Sequence, residues 1–425
     1  MAEMAVADNG LRVVVESIPG SAVTSTGIWF NVGSRHESNF SDMLSRGIAH
    51  LTEHMILRGG SGVTADEMSS RIDLMGSDFN AETERDFTAY WGRTPSQYAR
   101  EALELLLDSV MAPRMAEDEF PAEISAILDE INSYEHNPEE RAMNMLFERV
   151  LWDSPLAMSV GGSREEFRAS AAPEAVLDLW RRWYSPERAV VVVAGDVEMA
   201  DVLDTVNSKE IAEHESWLEN ARGQSSPYIP HLYIPKWKPD FVDVRDDSGR
   251  TYAYLGVRGV PFSSPLYYPT LVLSSILGDG VGSRANRIIR QKHGLAYSAT
   301  SSHQAFSDDG MFVLETSSDQ RKNAEAALEI MRSELTKIAL YGVSQDELEA
   351  ARRSLANEIL MGDDGTFPIM YRLGYGMTAA GWEAPVSAND IAERIMSVDA
   401  TQVRDAASLL EKGTWYSVKF TEGRE

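Results

Sequence analysis

The sequence His50-Leu51-Thr52-Glu53-His54 is the segment that best indicates the fold of this chain. Residues four apart share one face of an α-helix, so these two histidines can direct their imidazoles at one ion. The interposed glutamate lies on nearly the same face, where it can act as general base on a metal-bound water without being a ligand. This order is the inverse of the H-E-x-x-H zinc helix and therefore predicts a zinc site.

A catalytic zinc site needs a third protein ligand, which in hydrolases is usually a carboxylate. Glu123 and Glu130 are seven residues apart, so both project from one face of a predicted helix. We expect Glu130 to bind the ion and Glu123 to orient a ligand histidine. The competing interpretation, satisfied histidines beside a solvated acidic face, is weaker because two of only eight histidines fall into this spacing.

Length and composition indicate a folded acidic protein of two or three compact units, with 425 residues, 43% hydrophobic and 25% charged. The net charge of −27 disfavours nucleic acid and anionic membranes as partners. It would attract a cationic peptide, although solvated acidic faces account for the charge more simply. The chain has no cysteine, no apolar stretch near the roughly 20 residues of a membrane span, and no presequence pattern, so we expect a cytoplasmic location.

The first half of the chain alternates strand-like and helix-like segments. Thr64 and Glu67 form a capping-box pattern at the start of a short helix that ends near Gly76. The other expected helices are 41–57, 96–111, 116–135 and 138–151, and the expected strands are 11–16, 24–32, 190–193 and a pair within 79–93.

The same order of elements returns after residues 215–230, whose Gly, Ser and Pro content predicts a linker. A strand is expected at 252–257, helices at 268–277 and 284–291, and a strand pair within 295–316. We therefore predict an α+β fold of two homologous α/β half-domains, 1–220 and 221–425, each a mainly antiparallel sheet packed with helices. The helix at 268–277 contains no His or Glu, which implies one zinc per chain.

Together these motifs resemble the pitrilysin and mitochondrial processing peptidase family of zinc peptidases. The family has H-x-x-E-H followed, about 76 residues later, by a ligand glutamate with another glutamate seven residues before it; Glu130 and Glu123 occupy those places. Asn80, Ala81 and Thr83 look like the family's N-A-x-T strand, whose edge pairs with the substrate backbone. The resemblance implies that these three residues bind substrate.

Arg290 and the sequence Gly294-Leu-Ala-Tyr297 resemble the family's R-x-x-x-G-L-A-Y motif. The resemblance implies that Arg290 and Tyr297 contact the substrate and help to stabilise the tetrahedral intermediate. It covers nearly the whole chain and implies a short, bacterial-type subunit that carries both motifs. Two departures stand out: Asp86 replaces the usual glutamate, which could remove a hydrogen bond, and residues 154–162 lack the family's His-Pro-x-Gly pattern, which affects local substrate contacts.

The function expected from these residues and this resemblance is zinc-dependent endopeptidase activity on unfolded peptides or presequences inside a dimeric chamber. Zinc would lower the pKa of its water, Glu53 would take the proton, and zinc with Tyr297 or Arg290 would stabilise the oxyanion. Retention of Arg290 and Tyr297 favours a homodimer. The alternatives are the zinc-carrying subunit of a heterodimeric peptidase and a non-catalytic structural partner, although partners of that kind typically lose the zinc residues.

Overall fold

A computed structural model describes residues 1–39, 46–60, 62–208, 217, 242–246 and 250–422. The strands are β1 Glu3–Val6, β2 Arg12–Ser17, β3 Val23–Phe30, β4 Asp78–Thr83, β5 Thr88–Pro95, β6 Ala189–Gly195, β7 Val242–Asp246, β8 Thr251–Arg258, β9 Ser298–Ala305, β10 Gly310–Ser318 and β11 Tyr416–Glu422. No helix among the described residues is long and apolar enough to cross a membrane.

The helices alternate with these strands and include one π-helix, Asn286–Lys292, and a 3₁₀ segment, Ser34–Asn39. The α-helices are α1 Ile48–Ile56, α2 Ala65–Met75, α3 Ala99–Met111, α4 Phe120–His136, α5 Pro138–Val150, α6 Arg164–Ser170, α7 Pro173–Trp183, α8 Met199–Val206, α9 Tyr267–Leu277, α10 Arg321–Tyr341, α11 Gln345–Gly362, α12 Thr366–Thr378, α13 Ala388–Met396 and α14 Ala400–Lys412.

The first compact unit comprises 1–132, 158–231 and 363–387. Its six-stranded sheet has the order β1-β2-β6-β3-β5-β4, and the pair β2–β6 is parallel whereas the others are antiparallel. Side chains of one sheet face, among them Phe30 and Tyr90, join the core that also contains residues of α1, α3 and α7. Strand β4 ends the sheet, next to α1.

The opposite face of this first sheet is covered by α12. The Trp29 ring meets Tyr371 edge-on at a centroid distance of 4.9 Å. Gly374 allows the close approach, because a Cβ there would lie 2.1 Å from Trp29 Nε1. Residues that are distant in sequence therefore complete the layer behind the sheet.

The second compact unit comprises 133–157, 232–362 and 388–425. Its sheet has the order β7-β11-β8-β10-β9, with β7 and β11 parallel and the other pairs antiparallel. This repeats the order and directions of β2-β6-β3-β5-β4 in the first unit. Leu146 and Phe147 of α5 pack in one core with Tyr254 and Phe420 of this sheet.

The predicted fold class is confirmed: helices pack on two mainly antiparallel sheets. The boundary predicted at 220/221 and nearly all of the predicted linker 215–230 lie outside the described residues. Two segments pack against the sheet of the other predicted half-domain. Helix α5 precedes the 220/221 boundary but contacts β8 and β11. Helix α12 follows that boundary but contacts β3 and β6. Each of these helices packs on that sheet because it carries apolar side chains that the sheet buries.

Two predicted helices differ in detail from the structure. Helix α1 begins at Ile48, because Gly47 adopts a left-handed conformation with φ 74°, so residues 46 and 47 of the predicted helix are not helical; residues 41–45 lie outside the described part. The segment predicted as a helix at 284–291 is mainly a π-helix, in which the His293 N–H donates to the Ile288 carbonyl at 3.1 Å.

Candidate metal centre

Helix α1 is held at its start by Glu37, a side chain only 1% exposed. The carboxylate accepts the N–H of Gly47 at 3.0 Å and the N–H of Ala49 at 2.7 Å. Burial raises the pKa of Glu37 to about 8, and these backbone donors and nearby Arg46 oppose the increase. A carboxyl group at a helix N-terminus satisfies N–H groups that have no intrahelical partner. Glu37 therefore fixes the helix that carries the two histidines.

The structure brings His50, His54 and Glu130 together. The imidazole centroids are 4.8 Å apart and nearly perpendicular. Glu130 of α4 places Oε2 3.4 Å from His50 Nε2 and Oε1 3.8 Å from His54 Nε2. One ligand atom from each residue lies within 4.8 Å of the others, and among the described residues this is the group of acidic and histidine side chains that fits a metal ion.

The hydrogen bond between His54 and Glu123 shows that this donor set suits a cation. His54 Nδ1 lies 2.9 Å from Glu123 Oε2, and Arg58 Nε lies 3.4 Å from the other carboxylate oxygen. An ionised carboxylate can only accept, so His54 Nδ1 carries a proton, and in the neutral imidazole Nε2 presents a lone pair. That lone pair faces the carboxylate of Glu130, which is also an acceptor. Two acceptors at this distance repel each other unless a proton or a metal cation lies between them.

His50 completes the set as a neutral ligand. Burial lowers the pKa of His50 to about 3, and the charge that His54 would carry if protonated acts in the same direction. Two imidazole nitrogens and one carboxylate are the protein ligands that catalytic zinc takes in many hydrolases, where a fourth position stays open for water or substrate. The residues present therefore fit zinc.

Glu53 lies beside these ligands without belonging to the cluster. The side chain is 8% exposed, and its Oε2 lies 4.0 Å from His50 Nε2. The hydroxyl of Thr83 donates to the same Oε2 at 2.9 Å. Burial raises the pKa of Glu53 to about 7, which places the carboxyl in the range useful for proton transfer near neutral pH.

The predicted substrate-binding residues lie on β4, which is the last strand of its sheet and, among the described strands, pairs only with β5. The Ala81 N–H donates to the Asn80 side-chain oxygen at 2.8 Å. This bond gives the Ala81 N–H a side-chain acceptor on the last strand of the sheet. The edge has the geometry that an added peptide strand needs.

The two departures from the family pattern have structural roles near α1 or β4. Asp86 is buried and forms an ion pair with Arg35 at 2.6 Å, so the shorter carboxylate has a partner. Gly162, in the segment without His-Pro-x-Gly, lies against Arg46, where a Cβ would be 2.5 Å from the Arg46 Cβ. This segment therefore packs against the residues that immediately precede α1.

Arg290 and Tyr297 lie in the second unit, on the π-helix and at the residue before β9. The Arg290 carbonyl accepts the N–H of Gly294 at 3.2 Å, which closes the turn between them. The Tyr297 side chain is 72% exposed, and the Arg250 guanidinium lies 5.4 Å from its ring centroid. Arg290 thus begins the turn, and Tyr297 follows it, where its N–H donates to the Ser317 carbonyl at 3.1 Å.

Comparison with known proteins identifies the family. Residues 12–164 match the model of the insulinase family, peptidase family M16, and residues 170–355 match the model described as the peptidase M16 inactive domain. An uncharacterized zinc protease of Mycobacterium leprae is 31% identical over 366 residues, which cover 86% of this chain and 80% of that protein. The chain belongs to the insulinase family.

Two further comparisons concern the sequence and the fold. An uncharacterized zinc protease of Bacillus subtilis is 26% identical over 368 residues, covering 86% of this chain and 85% of that protein. A protease from Helicobacter pylori has a similar fold, with a TM-score of 0.84, 20% identity and coverage of 99% of both chains. The two curated relatives are named zinc proteases, and the cluster of His50, His54 and Glu130 is where this chain could hold a metal ion.

Sequence reasoning missed Glu37 and the contact between Thr83 and Glu53. Glu37 lies ten residues before Gly47, so no helical period connects the carboxylate to the N–H groups that it accepts. Thr83 was expected to bind substrate, and only the pairing of β4 beside α1 reveals its contact with Glu53.

The contact between His54 and Glu123 leads to a prediction for the zinc affinity of the cluster of His50, His54 and Glu130. Replacing Glu123 by Ala removes the acceptor that fixes the His54 tautomer, and zinc affinity should fall by about 10–100-fold. Glu135→Ala is the matched control, because Glu135 is an exposed residue of the same helix. Competition with a chromophoric chelator measures both affinities. Equal affinities for Glu123→Ala and wild-type protein would show that the contact does not support the site.

Proposed function

We propose that this insulinase-family member is a zinc-dependent endopeptidase that hydrolyses unfolded peptides, with His50, His54 and Glu130 as ligands and Glu53 as general base. The observation that carries the proposal is the convergence of these four side chains, three as a metal-binding cluster and one buried beside it. When bound, zinc would supply Lewis-acid polarisation of the scissile carbonyl and a lowered pKa of water.

The protein's own residues would then carry the proton and hold the peptide. Glu53 takes the proton of the attacking water and passes it to the leaving amine. Its low exposure keeps bulk water away from the carboxylate, which strengthens its electrostatic interactions. A peptide added along β4 lies one strand beyond Ala81 and Thr83, next to the helix that carries Glu53. Only an extended chain can pair in this way, which favours unfolded substrates.

Arg290 and Tyr297 enter the proposal as the groups that stabilise the oxyanion and contact substrate. The exposure of the Tyr297 side chain, 72%, supports a role in contacts outside its own unit. We further propose that two copies of the chain form a homodimer that encloses the site, with a heterodimer containing a related subunit as the alternative. The match of residues 170–355 to a domain described as inactive agrees with a single metal site, in the first unit.

The non-catalytic alternative has less support. A structural subunit has no need for two histidines and a glutamate facing one point, since converging acceptor atoms repel one another unless a proton or a metal cation lies between them. In this chain His50, His54 and Glu130 converge, Glu123 contacts His54, and Glu53 accepts the hydroxyl of Thr83, as the proposal requires. The arrangement therefore favours a catalytic subunit.

The Glu53→Gln variant tests the proposed base. It should keep about one zinc per chain, because Glu53 is not a ligand, and should lose nearly all turnover of a fluorogenic peptide, because an amide cannot accept the proton. Metal analysis and peptide cleavage are measured on the same preparation, with a chelator-treated wild-type sample as reference. An active Glu53→Gln protein, or one that has lost its zinc, contradicts the assigned role.

Tyr297→Phe tests the contribution of the second unit. Loss of a donor aimed at an oxyanion typically lowers kcat by about 10²–10³, and zinc content should not change. Tyr341→Phe is the control, because Tyr341 is an equally exposed tyrosine of the same unit, 83% against 72%. Arg290→Ala should also weaken peptide binding. Wild-type kinetics in both Tyr297→Phe and Arg290→Ala would mean that a partner subunit supplies these groups.

A further inference from the structure

Side chains on both faces of β4 form hydrogen bonds with neighbouring helices, and the two bonds have different partners. On the face toward α1, the Thr83 hydroxyl donates to Glu53 Oε2 at 2.9 Å. On the other face, the Tyr371 hydroxyl of α12 donates to the carboxylate of Glu82. Successive residues of a strand point to opposite faces, which accounts for the two directions. One of the two contacts reaches the proposed general base.

The Thr83 contact constrains the orientation of the Glu53 carboxylate. The oxygen that accepts the hydroxyl is the one that lies 4.0 Å from His50 Nε2, so it faces the metal ligands. An isolated glutamate has three rotatable side-chain bonds, and burial alone leaves the rotation of its carboxylate free. A carboxylate has about four lone-pair sites, so one bond from Thr83 leaves capacity to accept a proton.

We propose that Thr83 is a positioning residue, whose hydroxyl holds the Glu53 carboxylate toward the metal ligands. The proposal rests on the proposed peptidase function. It is compatible with the expected pairing of the strand edge with substrate, because that pairing uses the backbone of Thr83 and the hydroxyl proton is donated to Glu53. The strand that pairs with the peptide thereby also orients the base, so the base is aligned relative to the bound backbone. Preorganised groups of this kind raise the rate without tightening substrate binding.

The test compares Thr83→Val with Thr83→Ser in the zinc-loaded full chain. Valine keeps the shape and lacks the donor, so kcat on a fluorogenic unstructured peptide should fall about tenfold, the effect of one hydrogen bond to a charged group. KM and zinc content should not change. Serine restores the hydroxyl and should return kcat to near the wild-type value.

Two further measurements distinguish positioning of Glu53 from loosening of β4 and from direct contact with substrate. Tyr371→Phe removes the hydroxyl contact on the opposite face of β4 and should leave kcat unchanged. If Thr83→Val and Tyr371→Phe lower kcat equally, the loss comes from general loosening of the strand and the proposal is overturned. In the inactive Glu53→Gln background, fluorescence anisotropy with the same peptide, labelled, should give equal affinities with and without Thr83→Val.

Weaker peptide binding in that inactive background would show that Thr83 contacts substrate, which overturns the positioning role. Unchanged kcat in Thr83→Val would overturn it as well. Neither result touches the proposed function, which instead fails if zinc-loaded wild-type protein does not cleave peptides or if Glu53→Gln still does. Failure of the two proposals is therefore distinguishable.

Discussion

The buried contact between Glu37 and the first turn of α1 is the constraint on which the metal centre depends. The carboxylate is 1% exposed and accepts two backbone N–H groups, from Gly47 and Ala49. Without it, both donors would be buried and unpaired, at a cost of about 1–3 kcal/mol each. Because His50 follows Ala49 in the same turn, the contact fixes the position of the first histidine. The helical period then fixes the position of His54, one turn later.

The site is assembled where three elements of the first unit meet. Helix α1 contributes the histidines and Glu53, α4 contributes Glu123 and Glu130, and the edge strand β4 contributes the hydroxyl of Thr83. Each of these contacts joins two different elements. The geometry of the site therefore depends on how the elements pack, and not on the conformation of one segment. The donor atoms of His50, His54 and Glu130 converge, an arrangement that suits a metal cation.

The parts of the fold that follow a local period were predictable from sequence. The spacing of His50 and His54, and of Glu123 and Glu130, places each pair on one helix face by geometry alone, and the structure confirms both placements. The capping box of Thr64 is confirmed for the same reason, since it needs only four consecutive residues. Local chemistry was sufficient in each case.

The parts that depend on long-range packing were not predictable in this way. The exchange of α5 and α12 between units rests on contacts such as Gly374 against Trp29, more than 300 residues apart. The π-helix depends on hydrogen bonds one residue longer than those of an α-helix, and apolar spacing does not distinguish the two over seven residues. The Glu37 carboxylate reaches α1 across a stretch without periodicity.

Zinc K-edge X-ray absorption on the purified zinc-loaded protein is the decisive measurement for the metal centre, since it reports the atoms that surround the ion. With His50, His54 and Glu130 as ligands, we expect two imidazole nitrogens at about 2.0–2.1 Å with one carboxylate oxygen and a further light-atom ligand. We also expect the imidazole scattering to halve when His54 is replaced by Ala and some zinc is retained. A first shell of oxygens without imidazole scattering, or a protein that retains no zinc, would contradict the assignment of the metal centre to His50, His54 and Glu130.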